Sequence, residues 1–147
     1  MEIERKFTVK ELPENLAGYP SKRIEQGYLC TKPVLRVRRK GDEYWLTYKG
    51  EGLLVREEHE FPLDEEAYRH LLAKADGRII TKDRYHIPCG EHTIELDVFD
   101  GELAPLVIAE VEFPSVEAAQ AFVPPPWFDK DVTEDPAYSN SNLSKKM

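Results

Sequence analysis

Charged side chains keep a period of two through seven separate segments of this 147-residue chain, and that phase constrains the fold more than any other feature. Successive side chains of an extended strand point to opposite faces, so residues two apart share a face. The opening segment EIERKF sets Glu2, Glu4 and Lys6 against Ile3, Arg5 and Phe7. In VLRVRRK, Arg36, Arg38 and Lys40 oppose Leu35 and Val37, and in EYWLTYK, Lys49 lies with Trp45 and Thr47. Four further segments repeat the arrangement with Arg56, Glu58 and Glu60, with Lys82, Arg84 and His86, with Glu95 and Asp97, and with Glu110 and Glu112.

The sequence predicts strands over 2–9, 23–30, 34–40, 43–49, 53–61, 78–87, 92–99 and 106–113, separated by Gly- and Asp-containing breaks. Two amphipathic helices interrupt them. One runs from about Glu65 to Ala75, with Asp64 as N-cap and an apolar stripe of Tyr68, Leu71, Leu72 and Ala75. The other begins after Ser115 and stops at Pro124-Pro125-Pro126. Trp127 and Phe128 beyond it read as a rigid turn with two buried aromatics. A short last helix starts at Asp135-Pro136, with Lys145 and Lys146 in a solvated tail.

On any one strand a charged face is ordinary solvated surface. The helices change that balance, because their stripes need an apolar surface to pack on. Eight strands suffice to close a barrel. With the helices outside, the apolar strand faces turn outward and the charged faces turn into the lumen. The expected fold is mainly β (α+β): an eight-stranded antiparallel closed tunnel barrel with a charged lumen and helices packed outside. A single domain over 1–147 is the economical organisation.

The formal charge of −8 argues against a nucleic-acid binder. No apolar run is long enough to span a membrane and the N-terminus lacks signal-peptide features, so a cytoplasmic protein is expected. Cys30 and Cys89 stand alone, and His59, His70, His86 and His92 lack metal-binding spacing. There is no Gly-rich phosphate loop and no Gly-x-Ser-x-Gly elbow.

The lumen would therefore hold Lys6, Arg36, Arg38, Lys40, Lys49, Arg56, Lys82 and Arg84 beside a comparable set of carboxylates. So many cations repel one another without an anion, and a polyphosphate matches them in charge and length. The carboxylates suit Mg²⁺ or Mn²⁺, hard cations that share oxygen ligands with phosphate.

The series Glu2-x-Glu4-x-Lys6, Arg36-x-Arg38, Lys49, Lys82-x-Arg84 and Glu110-x-Glu112 resembles the CYTH or triphosphate tunnel metalloenzyme family. The segments QGYL, ELDVF, AEVEF, PPPWF and VTED look like its short bacterial branch, whose members hydrolyse inorganic tripolyphosphate. The resemblance implies hydrolysis to pyrophosphate and phosphate, dependent on Mg²⁺ or Mn²⁺. By matching position it implies that Glu2, Glu4, Glu110 and Glu112 face the metal, with Glu60 and Asp97 as further candidates. Lys6, Arg36, Arg38, Lys49, Arg56, Lys82 and Arg84 would bind phosphate oxygens. Tyr28 and Lys82 would handle the proton of the attacking water, with Glu4 also in the catalytic set.

Two alternatives stay open: an enzyme acting on an organic triphosphate such as ATP or thiamine triphosphate, and a non-catalytic polyphosphate binder. Inward carboxylate pairs weigh against the binder, since they would weaken an anion receptor. The expected partner is inorganic tripolyphosphate or another triphosphate, bound by a monomer or homodimer without nucleic acid or membrane.

Overall fold

The computed structural model describes residues 1–145. Among these residues ten strands form: β1 (Glu2–Val9), β2 (Ser21–Thr31), β3 (Val34–Lys40), β4 (Glu43–Lys49), β5 (Val55–Arg56), β6 (Glu58–Leu63), β7 (Asp76–Cys89), β8 (His92–Phe99), β9 (Val107–Glu112) and β10 (Phe128–Asp131). Nine of them follow one another in the order β10-β1-β9-β8-β7-β2-β3-β4-β6, antiparallel throughout, as a nearly closed barrel.

The strand expected over 53–61 is two strands with different partners. β5 pairs with β1 through Glu2↔Arg56 and Ile3↔Val55, whereas β6 pairs with β4 from Tyr44↔Leu63 to Lys49↔Glu58. The chain changes sides of the seam at Glu57, and this switch brings the two edges of the barrel together. β10 is the other addition. The prolines before it cannot donate to a ladder, but the chain beyond them pairs with β1 at Phe7↔Asp131 and Val9↔Phe128. Phe128 is buried against Phe7, ring centroids 4.7 Å apart, while Trp127 is only half-buried.

Helix α1 (Glu65–Leu72) is capped by Asp64, whose carboxylate accepts from the Ala67 amide at 2.7 Å. It lies outside the barrel across β2, β3 and β4. Buried Tyr68 anchors it, donating its hydroxyl to Glu25 at 2.8 Å. Gly27 on β2 allows the close approach, because a Cβ there would stand 2.8 Å from Ala75 Cβ and 2.9 Å from Leu72 Cδ1. The helix proper ends at Leu72, short of the expected Ala75.

Helix α2 (Val116–Ala121) is capped by Ser115 and packs on β1. There outward-facing Arg5 donates to the carbonyls of Ala119 at 2.8 Å and Phe122 at 3.2 Å, satisfying orphan acceptors at the helix end. Among the described residues, no helix is long and apolar enough to cross a membrane.

Among the described residues, most buried apolar side chains gather in two clusters. The larger lies outside the wall beneath α2, around Phe7, Leu96, Val111, Phe113 and Phe128. The smaller is Tyr28, Val34, Ile80, Phe99 and Ile108, packed with Leu103, Leu106, Tyr138 and Leu143. By strand phase Val34 belongs with Arg36, Ile80 with Lys82, Phe99 with Asp97 and Ile108 with Glu110. The inward phase therefore turns apolar at one end, and the lumen expected to be charged is plugged there. A 3-10 turn over Pro136–Tyr138 and helix α3 (Asn140–Leu143) cover the plug. Asp135 caps the turn by accepting from the Ala137 amide at 3.0 Å. Of the expected solvated tail, Lys145 is exposed and Lys146 lies outside the described residues.

Candidate active site

The inward faces enclose a cavity of about 240 Å³, with Tyr28 and Val34 on its apolar side and Asn140 and Ser141 of α3 contributing to its lining. Of the residues expected in the site, Glu2, Glu4, Lys6, Tyr28, Arg36, Arg38, Lys49, Arg56, Glu60, Arg84, Glu110 and Glu112 line it. Lys82 and Asp97 are not among the lining residues. Both share the inward phase but are covered by their neighbours, each 0% exposed.

Strand register decides which cation meets which carboxylate. Lys6 opposes Glu110, Lys49 opposes Glu58, Arg56 opposes Glu2 and Arg84 opposes Asp97. The ion pairs follow. Lys49 Nζ stands 3.0 Å from Glu2 and 3.3 Å from Glu58, and Arg56 Nε lies 3.5 Å from Glu2. Lys6 and Arg84 approach Glu110 at 3.7 Å and 3.5 Å. Asp97 accepts from Arg84 Nε at 2.7 Å on one oxygen, and from Lys82 Nζ at 2.6 Å and Arg84 Nη2 at 2.9 Å on the other.

Strand β3 is different. Arg36 is flanked by Tyr28 and Thr47, and Arg38 by Gln26 and Trp45, none of them acidic. Among the described residues neither arginine has a carboxylate partner, though they are only 3% and 8% exposed. Arg38 Nε donates to Gln26 Oε1 at 2.8 Å. Arg36 Nη2 reaches Thr47 Oγ1 at 3.4 Å, and its buried Nε has no hydrogen-bond partner among the described residues. Burial, then Arg36 and Arg84, weigh against the charge of Arg38 and push its pKa down to about 9. A buried cation without a counter-charge is costly, and an anion in the cavity removes that cost.

The carboxylates show the complementary imbalance. Glu4 faces Glu112 across β1 and β9 and makes no ion pair among the described residues. Desolvation, then Glu110 and Glu2, push its pKa up to about 7. Glu112 is also raised, by burial, Glu2 and Glu58. Glu110 is held far below the carboxylate range: burial opposes this, but Lys6, Arg84 and Lys82 outweigh it.

Among the described residues no three such groups stand close enough to hold a metal as they are placed. The donor set nevertheless fits one. It is all oxygen, and mutually repelling carboxylates around Glu4 are what a hard divalent cation would draw together.

Lys82 is pushed down to about 7, because burial together with Arg84 and Arg38 outweighs the attraction of Asp97. Its Nζ lies 5.1 Å from the centroid of the Phe99 ring. Tyr28 and Lys82 do not face each other in the ladder, since Lys82 opposes Ile24 and Tyr28 opposes Asp76.

Gln26, behind the cavity lining, and Trp45, within it, escaped the sequence as site residues. Gln26 is fully buried between two inward-phase residues of β2, a position its phase with Tyr28 would have revealed. Trp45 lines the cavity with its indole N–H donated to Glu43 at 3.2 Å. Its inward phase was legible, but not that the indole and Glu43 line the cavity together.

The model of the CYTH domain matches residues 1–123. The chain is 46% identical to an inorganic triphosphatase of Nitrosomonas europaea over 97% of this chain and 96% of that one. It is 38% identical to an inorganic triphosphatase of Acetivibrio thermocellus, over 98% and 93% of the two chains. The crystal structure of the inorganic triphosphatase NE1496 superposes with a TM-score of 0.74 at 41% identity, covering 100% of this chain and 96% of that one. The PH1012 protein of Pyrococcus horikoshii shares the fold at 22% identity, with a TM-score of 0.62 over 99% and 92% of the chains. A family match across most of the chain, joined to a charged tunnel of this topology, means that the protein belongs to the CYTH domain family.

Proposed function

We propose that this chain hydrolyses inorganic tripolyphosphate to pyrophosphate and phosphate, with Mg²⁺ or Mn²⁺ as cofactor. The carrying observation is a paired imbalance in one cavity: among the described residues, Arg36 and Arg38 have no ion-pair anion and Glu4 no ion-pair cation. A polyphosphate with its divalent cation supplies both. The names of the two relatives, both called inorganic triphosphatase, support the substrate.

Arg36 and Arg38 would take phosphate oxygens in guanidinium forks, and Lys6, Lys49, Arg56 and Arg84 would surround the rest of the chain. As charge spreads over the oxygens of the transferring phosphoryl group, these fixed cations neutralise it without reorganising. Glu2, Glu4, Glu60, Glu110 and Glu112 would hold the cation, with Glu4 and Glu112 the least committed to protein partners. When bound, the cation supplies further charge neutralisation on the phosphate oxygens and acidifies water. Tyr28, at the apolar side of the cavity, and Lys82, with its pKa near 7, are the groups proposed to take up the proton of the attacking water. Asp97, with both oxygens committed to Lys82 and Arg84, is assigned as their counter-ion rather than as a metal ligand.

The test is phosphate release from tripolyphosphate, with ATP and thiamine triphosphate in parallel, with Mg²⁺ or Mn²⁺ and with chelator. Chelator-sensitive turnover that strongly favours tripolyphosphate is expected. Preference for an organic triphosphate would overturn the substrate, and tight binding without turnover of any of them would overturn the hydrolase.

A further inference from the structure

Arg38 and its neighbour Gln26 differ from the ion-paired cations of the tunnel in one respect. Lys6, Lys49, Arg56, Lys82 and Arg84 each rest against a carboxylate, and Arg38 rests against an amide. Gln26 is 0% exposed, projects inward from β2, and opposes Arg38 on β3 and Ile80 on β7.

The hydrogen-bond directions in this group are set by chemistry. A guanidinium only donates, so the Gln26 oxygen must face Arg38 Nε, where the contact is 2.8 Å. Gln26 Nε2 is thereby turned to the Tyr28 hydroxyl oxygen, 3.4 Å away, at the long end for such a bond. The amide is fully buried with both ends committed, and its rotamer is settled. Tyr28 accepts from Gln26, which leaves its own proton to be directed elsewhere.

A carboxylate at position 26 would make the same contact to Arg38 and would also cancel its charge, as Asp97 does for Arg84. We propose that Gln26 is a positioning residue: it holds Arg38 by Nε, presenting the terminal nitrogens to phosphate while leaving the positive charge for the substrate to neutralise. The inference rests on the reading of this tunnel as a polyphosphate site. A merely structural amide would serve equally well as Glu, which is nearly the same shape and accepts the same hydrogen bond.

The experiment compares Gln26→Glu, Gln26→Met and Arg38→Ala. It measures tripolyphosphate binding by calorimetry in chelator, KM and kcat with Mg²⁺, and melting temperature without ligand. Gln26→Glu should melt no lower than the parent, because it neutralises a buried cation, yet bind tripolyphosphate about tenfold or more weaker. Its KM should rise by a similar factor, with kcat changed less. Gln26→Met keeps the charge of Arg38 but frees its orientation, so it should lose affinity by a smaller factor.

Parent-like affinity in Gln26→Glu, with Arg38→Ala weakened, would overturn the role of Gln26 and leave the phosphate site standing. Unchanged affinity in Arg38→Ala would instead overturn the site reading itself. Should Gln26→Glu fail to fold, Gln26→Met decides, and undiminished affinity there overturns the proposal. Loss of affinity that only follows loss of melting temperature in both variants overturns it as well.

Discussion

Lys82 and Asp97 form an ion pair at 2.6 Å in which both side chains are wholly excluded from solvent. Arg84 closes on the same carboxylate from the next inward position of β7, so two cations share one negative charge. The pair belongs to the wall of the tunnel, with Phe99 of the apolar plug against the lysine.

Asp97→Ala should consequently act first on stability. Removing one partner of a buried pair costs about 3–5 kcal/mol, which lowers the melting temperature by roughly 10 °C. Thermal unfolding with and without tripolyphosphate checks this, and the polyphosphate should recover part of the loss by replacing the missing anion. A variant that melts like the parent but has lost metal binding would return Asp97 to the metal ligands.

Arg36→Met separates function from stability in the opposite sense. The buried Nε without a partner makes the wild-type arginine a burden in the empty tunnel. The variant should melt at or above the parent temperature while binding tripolyphosphate about a hundredfold more weakly, a loss of ~2.7 kcal/mol. Calorimetry beside a melting curve reads both quantities. A lower melting temperature would mean that the contact with Thr47 matters more than the unpaired charge.

Metal removal should uncouple binding from turnover. The cations of the tunnel are in place without any metal, so tripolyphosphate in chelator should still protect against unfolding, by about 2.7 kcal/mol at a hundred times its Kd. Phosphate release should vanish in the same buffer. If chelator also abolishes the protection, the anion grip depends on the cation after all.

Glu4 sets a pH dependence whose sign is opposite to that of a salt-bridged carboxylate. Its pKa rises from 4.5 to about 7, chiefly through desolvation and then through Glu110 and Glu2. Between those values the folded state holds a proton that the unfolded state has released, so metal-free stability falls as pH rises through this window. Glu4→Gln should stabilise the metal-free protein by about 1–3 kcal/mol at pH 8 and hardly at all at pH 4. Unfolding curves at the two pH values decide, and equal effects at both would contradict the raised pKa. In the parent, proton and metal compete for Glu4, so metal affinity should weaken as pH drops below 7.

The period-two phase made the inward set of charges legible, along with the caps at Asp64 and Ser115 and the placing of helices outside. The division of 53–61 at Glu57 was not legible, because its two halves look like one alternating strand and differ only in partners far away in sequence. β10 was hidden by the prolines before it, whose local signal is a turn. The plug was missed because Val34, Ile80, Phe99 and Ile108 each close an otherwise charged face, and only barrel closure gathers them at one end.

By itself the sequence determined which side chains share the lumen. Alternation is a local property of extended backbone, and a barrel with outside helices turns every such face the same way. Tertiary structure alone decided which charges there are compensated. Register across strands distant in sequence gave Lys49, Arg56 and Arg84 a carboxylate opposite, and gave Arg36 and Arg38 only Thr47, Tyr28, Trp45 and Gln26. A shift of register by two residues would keep every face and exchange every partner, so cations left without a carboxylate, as Arg36 and Arg38 are among the described residues, exist only in the assembled barrel.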